Sequence, residues 1–338
     1  MPLSHNLKVL GVTAVLGALI SADGIAGGDT IIKIDGSSTM YPITEAVAKK
    51  FQTAQKDAIK VTVGISGTGG GFKKFCRGEI DIVNASRPIQ RTEMKACSKA
   101  GVQYVELPVA FDALTVVVNP KNTWSKTMTV AELKKMWEPA AQGKITRWNQ
   151  VNPAWPDETF KLYAAGPDSG TLDYFTQAIV GKAKSSRGDF TASEDDNVLV
   201  QGVANDKNAL GFFGFGYYVE NQDKVSAVAV DDGRNGGVIP SVETVEDGTY
   251  QPLSRPIFIY VNMKAAEKPE IKAFVAFYMK NASALVRGFQ YFPLPPRAYA
   301  ANMEFFKTKR LGTVFDGFLP VDLTIDDLIK REARFYEN

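Results

Sequence analysis

Histidine is almost absent from the sequence, which has a single one, His5, in 338 residues. Without imidazole the chain cannot form a Ser-His-Asp or Cys-His catalytic group, or the zinc sites that need histidine. It also lacks a G-x-S-x-G elbow, an S-x-x-K pair and a G-x-x-x-x-G-K-[ST] phosphate loop. These absences argue against hydrolases and NTPases, so we expect no catalytic residues, no metal and no cofactor.

An excess of charge of one sign is missing too. The chain has 39 Lys and Arg against 37 Asp and Glu, for a net charge of +2, and no run of five or six basic residues. Such a balance does not indicate a nucleic-acid or membrane-surface binder, so any bound anion must be held by local groups. The length and the 45% hydrophobic content suffice for a large core and two lobes.

The N-terminal apolar run is short. Lys8 precedes twelve residues, VLGVTAVLGALI, which are followed by the small residues SADGIAGG. Twelve apolar residues are too few to span a bilayer, and the layout is typical of a secretory signal peptide. We predict that residues 1–26 are this peptide, that cleavage falls between Ala22 and Gly27, and that the mature protein is periplasmic. A short membrane anchor or a buried helix is the alternative.

Cysteine is nearly absent as well, with only Cys76 and Cys97 in the chain. Two thiols alone make a poor metal site. In an oxidising compartment a pair 21 positions apart most simply forms one disulfide within a lobe.

The remaining pattern is an alternation of strands, small-residue loops and helices. Short β-branched runs, TIIKI, IKVTVGI and IDIVNAS, are each followed by such a loop or helix, which predicts an α/β fold with a mostly parallel sheet. In the second half, TASEDDNVLVQGV indicates a helix with Ser193 and Asp196 at capping-box spacing. We interpret EDDN as a cap and solvated turn and FFGFGYY as a buried strand.

Two longer apolar strands, Asp112 to Pro120 and Ser254 to Asn262, separate the blocks of this pattern. They predict two α/β lobes joined by two crossings, with a ligand cleft between the lobes. The expected first lobe is residues 27–115 and 255–338, and the second is 116–254. The strands near Val116 and Ile259 are the expected hinges.

Four loops fall where a predicted strand leads into a helix: DGSSTMYP (35–42), SGTGGG (66–71), NASRP (84–88) and GPDSGT (166–171). They supply hydroxyls, and three of them also supply amides at a helix start, where negative charge is favoured. Each loop alone is most simply a cap or turn, Arg87 alone a salt-bridging residue, and Asp168 alone a turn residue. Together they indicate an oxyanion cage with Arg87 as its full positive charge.

Six segments resemble the periplasmic phosphate-binding proteins of ABC-type phosphate importers, the PstS family, in their SphX-like branch. The segments are DGSSTMYPITEAVAKKF, SGTGGGFKKFCRGEIDIVNASRPI, DSGTLDYFTQAI, TASEDDNVLVQGVA, ALGFFGF and PLSRPIFIYV, and the likeness runs from about residue 30 to about residue 295. It implies a type II periplasmic binding protein fold that closes around one inorganic phosphate and performs no chemistry on it. It also implies delivery to an ABC-type permease in the inner membrane, and we expect a monomer.

The resemblance and the loops together predict the following phosphate ligands: Ser37, Ser38, Thr39, Met40, Ser66, Thr68, Gly69, Ser86, Arg87, Asp168, Ser169, Gly170 and Thr171. The chain departs from the best-known family members at two positions. Where they have an aspartate after the loop serine and an arginine before the S-G-T triplet, this chain has Arg87 and Ala165. The departure exchanges the charges of the two lobes, so their contact pattern cannot be carried over.

Asp168 is therefore the expected selector. Near neutral pH phosphate carries a proton that a carboxylate can accept, whereas sulfate carries none. The predicted mechanism is closure of the second lobe, with residues 169–171, over an anion bound to the first lobe. Two other functions stay open: binding of another tetrahedral oxyanion such as sulfate, molybdate or arsenate, and a secreted phosphatase or serine hydrolase.

Overall fold

The computed structural model describes residues 30–337, and side chains up to residue 334. The predicted signal peptide lies outside the described residues. Within 30–337 no helix combines the length and apolar character that crossing a bilayer would need.

Thirteen strands are present in the described part of the chain. They are β1 (Thr30–Gly36), β2 (Ile59–Val63), β3 (Ile82–Ala85), β4 (Tyr104–Val118), β5 (Thr127–Thr129), β6 (Lys161–Ala165), β7 (Thr191–Ser193), β8 (Ala209–Gly214), β9 (Ser226–Ala227), β10 (Ala229–Asp231), β11 (Gly237–Val238), β12 (Ser254–Asn262) and β13 (Phe292–Pro293).

Ten of these strands form one sheet with the order β2-β1-β3-β12-β4-β8-β6-β7, to which β13 and β9 add by pairing with β4. The strands at each end of this order are parallel, as the sequence predicts. The central strands β12 and β4 are antiparallel to each other and to their outer neighbours. The sheet is therefore mixed, because its middle consists of chain that crosses from one lobe to the other. Strands β5, β10 and β11 form a small separate sheet.

The twelve α-helices of residues 30–337 cover the faces of the sheets. They are α1 (Tyr41–Ala54), α2 (Gly67–Cys76), α3 (Arg91–Lys99), α4 (Val130–Trp137), α5 (Trp148–Val151), α6 (Gly170–Phe175), α7 (Asp196–Ala204), α8 (Phe215–Glu220), α9 (Val242–Glu246), α10 (Pro269–Gly288), α11 (Pro296–Lys307) and α12 (Ile325–Glu337). Short 3-10 helices lie at Pro139–Ala141 and Ala265–Glu267, and α6 continues into a π-helical turn, Thr176–Val180.

Helix α1 shows how the sequence produces these elements. Ile43, Val47 and Phe51 recur at four-residue spacing and are buried, so one face of the helix packs on the sheet. Pro42 is accommodated in the first turn, where its missing amide hydrogen leaves no intrahelical bond unmade.

Strand β4 changes partners along its length, and this divides the molecule into two lobes. Its residues up to Ala113 pair with β12, in the half of the sheet that contains β1, β2 and β3, and its residues from Leu114 pair with β8. The return crossing lies at the start of β12, where the Leu253 carbonyl accepts a bond from the Leu114 amide. The crossings thus lie at Leu114 and Ser254. Within the expected hinge strand, Ile259 itself pairs with Leu107 inside the first lobe, so the crossing lies at the start of that strand. The domain limits at 115/116 and 254/255 stay a prediction.

Two local predictions from the second half and the cysteines have different outcomes. The disulfide between Cys76 and Cys97 is present and joins the last residue of α2 to α3. The Ser193 and Asp196 capping box is wrong, because Asp195 caps α7 by accepting a bond from the Asn197 amide.

Candidate functional site

A buried ion pair lies where the two crossings meet. Arg255, in β12, is opposite Asp112, in β4, and its Nη2 donates to Asp112 Oδ2 over 2.9 Å. Both side chains are fully buried. A buried pair must satisfy its remaining hydrogen bonds, since an unmet charge is costly to desolvate.

Arg255 also draws hydroxyls from both lobes to this point. Its Nη2 donates to Thr39 Oγ1, which precedes α1, and to Thr171 Oγ1 in the first turn of α6, at 3.3 and 2.9 Å. The two hydroxyl oxygens lie 3.5 Å apart. Arg255 Nη1 is one of the buried side-chain atoms of the described residues that have no hydrogen-bond partner. An unpaired guanidinium nitrogen beside converging hydroxyls is the donor that a bound anion would satisfy.

A second group of hydroxyls lies against the start of α6. Thr68, in the first turn of α2, and Ser86, after β3, place their hydroxyl oxygens 3.0 Å apart. A methyl group added to Gly170 would lie 2.5 Å from Ser86 Oγ and 2.7 Å from Thr68 Oγ1. The chain therefore needs glycine there, because the second lobe's backbone comes directly over the first lobe's hydroxyls.

The cluster between the lobes also contains a buried carboxyl group, that of Asp196. Asp196, the first residue of α7, accepts a bond from Ser38 Oγ at 3.4 Å and is 1% exposed. Burial raises the pKa of Asp196 to about 7, repulsion from Asp112 adds to this, and Arg255 and Ser38 act in the opposite direction. Near neutral pH this group can therefore accept or donate a proton within the cluster.

Four helices contribute their starts to this cluster. Thr39 lies two residues before α1, Thr68 and Thr171 are the second residues of α2 and α6, and Asp196 is the first residue of α7. Helix starts carry partial positive charge, which favours an anion without the desolvation cost of extra cationic side chains.

Arg87 is placed differently from the sequence expectation. Its Nε donates to Asp173 Oδ2 at 2.7 Å, its Nη1 and Nη2 donate to Glu93 at 2.8 and 2.7 Å, and its side chain is fully buried. All three nitrogens therefore have protein partners. These contacts give Arg87 a role in pairing and do not support it as an anion ligand.

Asp168 lies at the rim of the cluster. Its side chain is 37% exposed and pairs with Lys73 at 2.7 Å, and its carbonyl accepts the Gly69 amide, also at 2.7 Å. An exposed, already paired carboxylate is poorly placed to accept a proton from a buried anion, and the Gly69 amide is likewise taken. The contacts therefore do not support these two residues as ligands either.

The other predicted ligands have local partners. Ser37 donates its amide to Asn84, and Ser66 donates its hydroxyl to Asp35 at 2.8 Å. Met40 is the N-cap position of α1, with a buried side chain, and Ser169 caps α6 by accepting the Thr171 amide. The structure brings together, of the predicted set, the following residues: Ser38, Thr39, Thr68, Ser86, Gly170 and Thr171.

Sequence reasoning missed Asp196, Arg255 and Asp112. The interpretation of EDDN as a cap and solvated turn holds for Asp195, which is exposed and caps α7, and is wrong for Asp196, which is buried. A signal for the other two was present, because each of the apolar segments VAFDALTVVV and SRPIFIYV contains one charged residue, Asp112 in the first and Arg255 in the second. Opposite charges inside two strands that pair are expected to find each other.

Two of the surface clefts differ in their relation to this cluster. One, of about 530 Å³, is lined by Ser38, Tyr41, Asp195 and Tyr217 and so reaches the cluster from solvent. A larger one, of about 750 Å³, lies away from the cluster, at the ends of the first lobe's strands where β3 and β4 begin, and its Lys268 is paired with Asp81. Within residues 30–337 no group of three or more potential metal-ligating side chains occurs.

Two α/β lobes, two crossings and a polar cluster between the lobes define a type II periplasmic binding protein fold. Residues 21–282 match the model described as PBP superfamily domain. The crystal structure of a putative phosphate ABC transporter substrate-binding protein with bound phosphate, from Clostridium perfringens, is similar to this chain with a TM-score of 0.66. It is 25% identical, and the match covers 79% of this chain and 100% of that one.

Curated relatives narrow the class. Protein SphX of Synechocystis sp. is 55% identical over 305 residues, which are 90% of each chain. Phosphate-binding protein PstS of Staphylococcus saprophyticus is 35% identical, over 88% of this chain and 93% of the relative. The chain belongs to the family of the SphX and PstS proteins.

Proposed function

We propose that the protein binds inorganic phosphate outside the cytoplasm and delivers it to an ABC-type import permease. The observation that carries the proposal is the buried, unpartnered Nη1 of Arg255 beside hydroxyls from both lobes. The PstS relative and the Clostridium perfringens structure are both named for phosphate, and the latter contains it.

The proposed ligands are Arg255, the five hydroxyls of Ser38, Thr39, Thr68, Ser86 and Thr171, the backbone at Gly170, and Asp196. Arg255 supplies the full positive charge, but Asp112 already balances it. The guest is therefore held mainly by hydrogen bonds and helix starts, and its own charge is not cancelled by a net positive site. Closure of the lobes excludes water and strengthens each of these bonds.

Asp196 is the proposed selector in place of Asp168. Phosphate retains a proton near neutral pH and can donate it to the ionised carboxylate, whereas sulfate has no proton and is repelled. A hydrogen bond to a charged group contributes about 1.5–3 kcal/mol, and leaving it unmade costs a similar amount. The difference corresponds to roughly a hundredfold preference for phosphate.

The test is calorimetric titration of wild type and Asp196→Asn with phosphate and with sulfate at pH 8. The asparagine amide can donate to sulfate, so we expect sulfate binding to strengthen, phosphate binding to weaken, and selectivity to fall about a hundredfold. Asp195→Asn is the control, because it changes the adjacent exposed residue and asparagine also caps helices well. Asp168→Asn tests the selector that the sequence predicts.

Three outcomes would count against the proposal. Selectivity lost in Asp168→Asn and kept in Asp196→Asn would restore the sequence-based assignment. Sulfate, molybdate or arsenate bound more tightly than phosphate by the wild type would identify a different oxyanion as the ligand. Turnover of a chromogenic phosphate ester would indicate an enzyme, although the described cluster contains no lysine or histidine to activate a hydroxyl.

The proposed place of action is the periplasm. The signal-peptide pattern of residues 1–26 supports export, and the disulfide suits an oxidising compartment. Delivery requires that the closed face, formed by both lobes, dock on the permease, and a monomer leaves that face free. Fractionation of cells and N-terminal sequencing of the mature chain would test export directly.

A further inference from the structure

One buried charge pair joins the two lobes away from the proposed anion ligands. Arg87 follows β3 in the first lobe, and Asp173 lies in α6 of the second lobe. The Nε–Oδ2 distance is 2.7 Å, and neither side chain is exposed. Gln90, also in the first lobe, approaches the same Oδ2 at 3.4 Å.

These contacts depend on closure. Within its own lobe the salt-bridge partner of Asp173 is Lys184, at 3.8 Å from Oδ1, and Oδ1 has no hydrogen-bond partner. Arg87 keeps two bonds to Glu93 within the first lobe. When the lobes separate, Arg87 therefore stays neutralised, whereas Asp173 loses its strong partner and is hydrated.

We propose that Arg87 and Asp173 form a latch that holds α6 over the bound anion. This inference rests on the proposed function and adds to it a pair of positioning residues that act through α6. The latch residue Asp173 lies two positions after Thr171 and three after Gly170, so fixing Asp173 fixes the helix start that covers the site. The latch slows the release of the bound anion and does not discriminate between anions.

A second pair between the lobes provides a comparison. Lys73 and Asp168 are 2.7 Å apart, but their side chains are 62% and 37% exposed. Exposed pairs are screened by water and salt and contribute little, whereas a buried charge-assisted bond contributes more when its geometry is good.

The test uses Asp173→Asn, which keeps the shape of the side chain and removes its charge. We expect phosphate to dissociate about tenfold faster or more in stopped-flow experiments, with phosphate-over-sulfate selectivity unchanged. The matched control is Asp206→Asn, which breaks the Lys161 pair within the second lobe, and we expect it to leave the dissociation rate unchanged. Lys73→Ala should change the rate less than about twofold.

A dissociation rate in Asp173→Asn that equals that of the wild type, or is slower, would overturn the latch. So would a rate increase that Asp206→Asn shares, because the effect would then be general. A wild type that does not bind phosphate would be a failure of the proposed function alone.

If the wild type does not bind phosphate, the latch can still be tested in the ligand-free protein. Spin labels at Lys50→Cys and Lys144→Cys, both exposed and on different lobes, report the distance between the lobes. A distribution shifted to longer distances by Asp173→Asn would support the latch, and an unchanged distribution would overturn it.

Discussion

At the residue scale, the charges of the cluster are decided by pairing across the chain. Arg87 and Asp168 stand next to the predicted loop serines, which made them natural candidates. Arg87 pairs with Asp173 and Asp168 pairs with Lys73, both distant in the sequence, and these pairings neutralise the two charges. Arg255 and Asp196 are left to face the hydroxyls. Sequence adjacency shows which groups are near a loop, but only the fold shows which groups are already satisfied.

Gly170→Ala gives a steric test of the closed cluster. An added methyl would overlap Ser86 Oγ at 2.5 Å and Thr68 Oγ1 at 2.7 Å, and both atoms belong to short side chains with little room to move. Such overpacking costs about 1–3 kcal/mol, so we expect phosphate and sulfate to bind roughly tenfold to a hundredfold more weakly by calorimetry.

The control for this substitution is Gly288→Ala at the end of α10. An added methyl there meets nothing within 4 Å, so binding should not change. Wild-type affinity in Gly170→Ala would show that the second lobe does not close onto Thr68 and Ser86 as described.

At the element scale, the local pattern predicted much of the structure. The first three strands lie where the β-branched runs place them, and at the start of α4 Thr129 and Glu132 stand at capping-box spacing and form that box. The crossings lie inside the two predicted strands but not at the residues named for them, and the predicted cap of α7 is wrong. The hydrophobic pattern identifies a buried strand but does not show where the strand changes partners. Serine and aspartate both cap helices well, so the sequence does not show whether Ser193 or Asp195 caps α7.

The disulfide connects two helices, since it joins the end of α2 to α3. Closing a loop of 21 residues removes freedom from the unfolded chain, which corresponds to about 3 kcal/mol of stability. We expect Cys76→Ala with Cys97→Ala to lower the free energy of unfolding in urea by about this amount. Thr68, at the other end of α2, should stay in place, so the dissociation constant for phosphate should change less than about twofold.

Reduction of the wild type provides the control, since it opens the same bond without changing the core side chains. The double variant and the reduced protein should lose similar stability. Loss of phosphate binding in either one, with the fold intact, would mean that α2 depends on the disulfide for its position in the site.

At the scale of the whole molecule, two buried carboxyl groups, one in each lobe, link stability to pH. Burial raises the pKa of Asp196 and that of Glu106 to about 7. Glu106, in β4, accepts bonds from the Tyr260 hydroxyl and the Val314 amide, which oppose the shift only in part. Both groups are therefore protonated in the folded protein at a pH where they are ionised in the unfolded chain.

The direction of the pH effect follows from these raised values. Below about pH 4 both groups are protonated in either state. Between about pH 4 and 7 only the unfolded chain loses the protons, so stability falls as pH rises, by about 1.4 kcal/mol per pH unit for each group. Asp189, whose pKa is lowered to about 2, contributes to the pH dependence of stability only below this range. The ligand-free protein should therefore have a higher urea midpoint at pH 5.5 than at pH 8.

Asp196→Asn and Glu106→Gln should each flatten this dependence and raise the ligand-free midpoint at pH 8, since each removes a buried charge. Phosphate should distinguish the pH dependence due to Asp196 from that due to Glu106. By donating its proton to Asp196 it satisfies that carboxylate at pH 8, so saturating phosphate should weaken the pH dependence contributed by Asp196 and leave that of Glu106. A wild-type midpoint that is flat or rises between pH 5.5 and 8 would mean that neither carboxyl keeps its proton on folding, and the raised pKa values of Asp196 and Glu106 would be wrong.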